Sequence, residues 1–149
     1  MRDPSRLVDL LTLATSMEVL SINDCQTLSP NSIFVSPPGF HLKLHGVSLY
    51  LDACRSWGWP TTLSCFLNSL AESDGPPSAA VILSGLGNDG SSALGAVRTS
   101  GGLILAQSDP RWTGMPDSAV ATGNVDFILN SNEIATALMD FGKTSQHPI

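Results

Sequence analysis

Two short apolar runs, residues 79–83 (AAVIL) and 102–107 (GLILAQ), stand on either side of a helix-like stretch at 91–99. A strand, a helix and a strand of these lengths imply a parallel pair joined by a crossover, and such crossovers are almost always right-handed. Parallel strands that are apolar on both sides need helices over both faces. The chain is therefore predicted to be α/β, with a doubly wound, mainly parallel sheet flanked by helices. In sheets of this kind function collects in the loops at the carboxyl edge.

The remaining pattern fits around that unit. Residues 6–15 place Leu7, Leu10, Leu11 and Ala14 at amphipathic helical spacing, with Asp3, Pro4 and Ser5 as cap chemistry before them. Residues 17–22 and 31–36 read as strands, the second closed by Pro37, Pro38 and Gly39. Residues 41–51 alternate on both sides of Gly46, which predicts a small, half-exposed antiparallel hairpin. An irregular loop at 54–60 (CRSWGWP) leads into a helix over 61–73 that carries Leu63, Phe66, Leu67 and Leu70 on one face. After a turn at 74–77 and the crossover come a helix starting at 117–122 behind Pro116 and a strand at 125–129. A terminal helix at 132–141 is capped by Asn130, Ser131 or Asn132. There are no internal repeats, so one domain is expected over residues 4–141, with 142–149 as a loose tail.

At 149 residues the chain is within the span of about 100–200 typical of one domain. A net charge of −6 with only 7 Lys and Arg leaves no wide cationic face, which argues against nucleic acid or an anionic membrane surface as partner. A small molecule or another protein is expected instead. Gly, Pro or Ser interrupts every apolar stretch well short of the roughly 20 residues a membrane span needs, and no signal-peptide layout is present, so a soluble, cytoplasmic chain is expected. Cys25, Cys54 and Cys65 lack CxxC spacing. They suggest neither a disulfide framework nor a zinc site, only reduced thiols filling apolar space.

The loop after the first apolar run, GLGNDG at 85–90, holds one acid, Asp89, among Gly85, Gly87 and Gly90. Its letters fit a dinucleotide fingerprint, but a carboxylate inside the loop would repel phosphate, and Asp109 is the only acid near the position where a ribose ligand belongs. Two readings of Asp89 remain open on spacing alone. It is the N-cap of the helix at 91–99, or it orients a catalytic histidine as the acid of a nucleophile, base and acid set.

VILSGLGNDGSSALGAV (81–97), GGLILAQ (101–107), GMPDSAVATGNVDFIL (114–129) and LSPNSIFVSPPGFHLKL (28–44) together resemble the catalytic domain of the CheB-type protein-glutamate methylesterases, in the version often fused to a methyltransferase. The resemblance runs from about Pro4 to Phe141 and implies a doubly wound α/β domain with a Ser-His-Asp triad. Such a domain hydrolyses glutamyl methyl esters on chemoreceptors and deamidates receptor glutamines. Asp89 matches the triad aspartate. Gly85, Gly87, Asn88 and Gly90, with Gly114, Met115 and Pro116, match the loops that face substrate. The family's serine and histidine lie upstream of the part matched here, so an N-terminally incomplete form of the fold is expected, inactive by itself. No cofactor or metal is implied. The implied partners are the cytoplasmic region of a methylated chemoreceptor and an upstream receiver or methyltransferase domain.

No other residue restores the triad in the family's arrangement, a local serine paired with His41 being the remaining alternative. His41 and His45 belong to the hairpin, His147 to the tail, and Ser84, Ser91 and Ser92 are outside any Gly-x-Ser-x-Gly elbow. Where the family has a basic residue before a proline and then an acid, this chain reads Trp59, Pro60, Thr61, Thr62, Leu63 with one extra residue, so the polar support of the site is expected to have become apolar. Trp57 and Trp59 are read as core packing or an exposed rim, with a protein-binding patch as the sharper idea. The rival to an esterase is a non-catalytic interaction module that keeps the fold's partner-binding face.

Overall fold

The computed structural model describes residues 4–53 and 61–145. Cys54, Trp57, Trp59, Pro60 and His147, and the expectations attached to them, lie outside the described residues. The order of elements is α1 (Pro4–Ala14), β1 (Glu18–Ser21), β2 (Gln26–Thr27), β3 (Ser32–Val35), β4 (Phe40–His45), β5 (Ser48–Ala53), α2 (Thr62–Ala71), β6 (Ala79–Ile82), a 3-10 turn (Ser91–Ala93), α3 (Leu94–Thr99), β7 (Leu103–Gln107), α4 (Gly114–Ala121), β8 (Phe127–Leu129) and α5 (Ser131–Ser145).

The crossover forms as the apolar runs require. β6 and β7 pair in parallel with Ala80 opposite Ile104, and β7 and β8 pair in parallel with Ala106 opposite Ile128. Ile82, Leu94, Val97 and Ile104 are buried between this sheet and its helices, and Leu63, Leu67 and Leu70 of α2 pack against them. Parallel pairing extends to β1 and β3, which form a two-stranded sheet of their own. The fold class is thus α/β with parallel sheets and helices, and a small antiparallel sheet accompanies them. That sheet is larger than the expected hairpin, because the two-residue β2 pairs with β5 on the side away from β4. Two residues are too few to carry an alternating pattern, so β2 left no periodic signal.

α2 holds the two halves together. Its predicted single apolar face is divided: Leu63, Leu67 and Leu70 join the crossover core, whereas Phe66 packs on the second core of Ile22, Leu42 and Leu49. The Leu44 amide donates to Ser69 Oγ at 2.9 Å, fixing β4 on the same helix.

Several boundaries differ from the sequence reading for local reasons. Residues 91–99 are not one α-helix, because the chain leaves Gly90 at a φ of +93° and makes a 3-10 turn before α3. α4 starts at Gly114, not after Pro116; Thr113 is its N-cap, and the N–H that Pro116 lacks falls among first-turn amides that have no intrahelical acceptor. α5 continues to Ser145, so the first part of the expected tail is helical. Its cap is Asn130: Oδ1 accepts from the amides of Asn132 and Glu133, and Glu133 returns a carboxylate oxygen to the Asn130 amide. This is the capping-box exchange. Cys25 does not fill apolar space. It is exposed at a φ of +60°, and its thiol is the largest of the neighbouring influences that raise the pKa of the Tyr50 phenol. The α1 stripe is also less buried than its pattern suggests, with Leu7 and Leu10 more than half exposed. Among the described residues no helix is long and apolar enough to cross a membrane.

Candidate active site

β6 ends at Ile82 and the chain then passes through exposed Leu83 and Ser84 into the glycine loop. Gln107, at the end of the neighbouring β7, accepts the Ser84 amide on Oε1 at 2.9 Å, which sets where the loop leaves the sheet. From there the loop is tied to the segment before α4. The Gly85 amide donates to the Trp112 carbonyl at 3.0 Å, the Met115 amide donates to the Gly85 carbonyl at 3.0 Å, and the Trp112 amide donates to Ser84 Oγ at 2.8 Å.

Glycine is required at Gly114, where the two loops meet. A Cβ there would lie 2.9 Å from the Gly87 amide nitrogen, whereas one at Gly85 would meet only the flexible Met115 side chain, 2.5 Å from Sδ. The residues read as substrate-facing are therefore together at one carboxyl edge, but not equally accessible. Gly87 and Asn88 are exposed, Gly85, Gly114 and Met115 are half-buried, and Gly90 and Pro116 are buried.

Asp89 is a helix cap, though not of the helix that follows it. The 3-10 turn has Gly90 as N-cap, and neither that turn nor α3 receives a side-chain cap bond. The carboxylate instead reaches the first turn of α2. Oδ2 accepts from the Leu63 amide at 2.9 Å, and Oδ1 accepts from the Ser64 amide and the Ser64 hydroxyl, both at 3.0 Å. These are the second and third amides of a helix whose own N-cap, Thr61, makes no side-chain cap bond. A carboxylate here meets both orphan donors and the positive end of the helix dipole. Spacing could not show this, because the partner is 25–26 residues earlier in the chain.

Nor is the support of the site apolar, as the run ending at Leu63 suggested. The next residue, Ser64, restores polar contact by accepting the Gly90 amide at 2.9 Å while donating to Asp89, and Ser92 Oγ lies 3.3 Å from its oxygen. The only sequence signal for Ser64 was its place three residues after Thr61, where a cap normally finds its amide.

No histidine reaches Asp89 among the described residues. His41 is on β4 opposite Asp52 with Nδ1 buried and without a hydrogen-bond partner, and His45 ends the same strand opposite Ser48. Ser91 Oγ is buried without a partner as well, while Ser84 hydrogen-bonds to Trp112 between the loops and Ser92 donates to Ser64 of α2. The chemistry within reach is consequently that of an anchored acid. Oδ1 accepts two bonds and Oδ2 one, so Oδ2 keeps a lone pair for another donor. Further along, Asp126 acts structurally: its Oδ2 accepts the Ile104 amide at 2.8 Å, and Oδ1 pairs with Arg98 at 3.6 Å.

Comparison with known proteins places this geometry. The sequence profile described as CheB methylesterase matches residues 2–138. An uncharacterised 104.1 kDa protein of Rhodobacter capsulatus is 34% identical over 137 residues, covering 91% of this chain and 14% of that protein. The protein-glutamate methylesterase FrzG of Myxococcus xanthus is 33% identical over 140 residues, covering 91% of this chain and 42% of FrzG. The chain thus spans less than half the length of these relatives. The crystal structure of the Thermotoga maritima CheB methylesterase catalytic domain superposes with a TM-score of 0.80 at 24% identity, covering 91% of this chain and 76% of that domain, which shows a shared fold.

Proposed function

Because the chain belongs to the CheB methylesterase family, we propose that it provides the acid and the substrate-facing loops of a protein-glutamate methylesterase whose serine and histidine come from a segment outside these 149 residues. The substrate class is a glutamyl methyl ester on the cytoplasmic region of a chemoreceptor, with receptor glutamine as a second substrate. A receiver or methyltransferase domain is the expected companion. The serine attacks the ester carbonyl, the acyl-enzyme forms, and methanol leaves with the proton that the histidine carries. Water, activated by the same histidine, then releases the glutamate. Asp89 takes the imidazole N–H, holds the productive tautomer and stabilises the imidazolium. Exposed Gly87 and Asn88 line the approach to it.

The observation that carries this reading is the anchoring of Asp89. Three donors on α2 fix a carboxylate at the carboxyl edge of the parallel sheet and leave one oxygen with a lone pair unclaimed. The test joins this chain to the part of the Thermotoga maritima catalytic domain that it leaves unmatched, and follows methanol release from a methyl-esterified receptor fragment. Turnover is expected from the joined protein and not from the chain alone, since loss of a triad serine or histidine costs on the order of 10⁶ in kcat. A folded but inactive joined protein would instead favour the interaction module, and equal turnover by the chain alone would point to a local serine.

A further inference from the structure

The geometry points to Ser64 as a positioning residue for Asp89, one that selects Oδ2 as the oxygen offered to the base. This rests on the reading of Asp89 as the acid of the esterase.

Ser64 touches the acid twice on the same oxygen. Its amide and its hydroxyl both donate to Asp89 Oδ1 at 3.0 Å, while Oδ2 accepts only the Leu63 amide at 2.9 Å. A carboxylate oxygen has two lone-pair directions, so Oδ1 is filled and Oδ2 is half-filled. An incoming imidazole N–H therefore finds one acceptor position. Backbone amides alone would leave the two oxygens equivalent, each with one bond, and the hydroxyl removes that equivalence.

The hydroxyl also fixes the carboxylate's carrier. Ser64 Oγ accepts the Gly90 amide at 2.9 Å, tying the residue after Asp89 to the helix that binds its side chain. Gly90, at a φ of +93°, packs so closely on α2 that a Cβ there would lie 2.7 Å from Leu63 Cδ2. Rotation of the Asp89 side chain and movement of its backbone are thus opposed by one hydroxyl group. Ser92 Oγ, 3.3 Å from the same oxygen, orients that hydroxyl from its other side.

The test compares Ser64→Ala with Ser64→Thr in the joined protein. Ser64→Ala is expected to lower kcat roughly 10- to 100-fold with KM unchanged, the scale of effect that a small misplacement of a catalytic group produces. It should also move the acidic limb of the kcat profile to lower pH, because a misaligned Asp89 stabilises the imidazolium less. Ser64→Thr, which keeps the hydroxyl, should retain both. Normal kcat and pH profile in Ser64→Ala, alongside a disabled Asp89→Asn, would overturn the positioning role and leave the esterase reading standing; an active Asp89→Asn would remove that reading instead. Amide hydrogen exchange on the 149-residue chain gives an answer that does not depend on turnover. The Leu63 amide bonds Asp89 but not the Ser64 side chain, so in Ser64→Ala its exchange should accelerate on the order of tenfold, and in Ser64→Thr it should not. Unchanged Leu63 exchange in Ser64→Ala would contradict the inference.

Discussion

The residues that matter most in this chain are small ones where backbone approaches backbone or helix. Gly90 combines a φ of +93° with a position where a Cβ would meet Leu63 Cδ2 at 2.7 Å. Gly90→Ala is expected to destabilise by roughly 2–4 kcal/mol, about 1–2 for the left-handed backbone and the rest for overpacking, and denaturant unfolding will measure it. Gly114→Ala has ordinary backbone freedom but a Gly87 nitrogen 2.9 Å away. Its effect is expected in the separation of the two loops, at about 1–3 kcal/mol, seen as chemical-shift changes that reach Gly85 and Gly87. Asp89 was legible in the sequence because an isolated acid among glycines after an apolar strand is conspicuous. What it binds was not legible. Cap chemistry is ordinarily local, and here the acceptor and its amides are 25–26 residues apart, so proximity exists only once α2 has packed beside the loop that follows β6.

Elements with many residues in one repeating environment were the readable ones. β6, α3 and β7 follow from their apolar runs, and α2 from its spacing, because burial repeats at each period. β2, with two residues, and the 3-10 turn, dictated by one positive φ, repeat nothing and were missed or merged. α4 was started too late because proline was taken as a boundary, when its first turn has room for it. Caps give the matching tests. Asn130→Ala removes the acceptor of two amides at the start of α5 and is expected to cost about 1 kcal/mol of stability. Asp89→Ala removes the cap of α2 in the same way, leaving the Leu63 and Ser64 amides without acceptors in a half-buried setting. Its loss should be larger, about 2 kcal/mol, because both backbone donors and the Ser64 hydroxyl lose a charged partner. A thermal unfolding series on the two variants would reveal a reversed order if the long-range cap were unimportant.

At the scale of the whole molecule, the described residues expose apolar surface on α1 (Leu7, Leu10, Leu13), on β8 (Phe127, Ile128) and at the carboxyl edge (Leu83, Leu86, Trp112). Among the described residues each parallel sheet also ends in strands with an unpaired side, β6 and β8 in one and β1 and β3 in the other. Open edges and apolar surface favour association, so the 149-residue chain is expected to self-associate with concentration in sedimentation experiments; a sharp monomer that melts cooperatively would contradict this. The central claim, that Asp89 orients a catalytic imidazole, is tested most directly by kcat per folded molecule for Asp89→Asn in the joined protein. Asn has one acceptor oxygen where Asp89 uses two, so it gives up at most one α2 amide while presenting the wrong partner to the imidazole. In a serine protease the equivalent change is worth about 10⁴ in kcat, and a fall of at least about 100-fold, corrected for the folded fraction, is expected here. An Asp89→Asn protein that keeps wild-type kcat would show that this carboxylate holds α2 and does nothing for the chemistry.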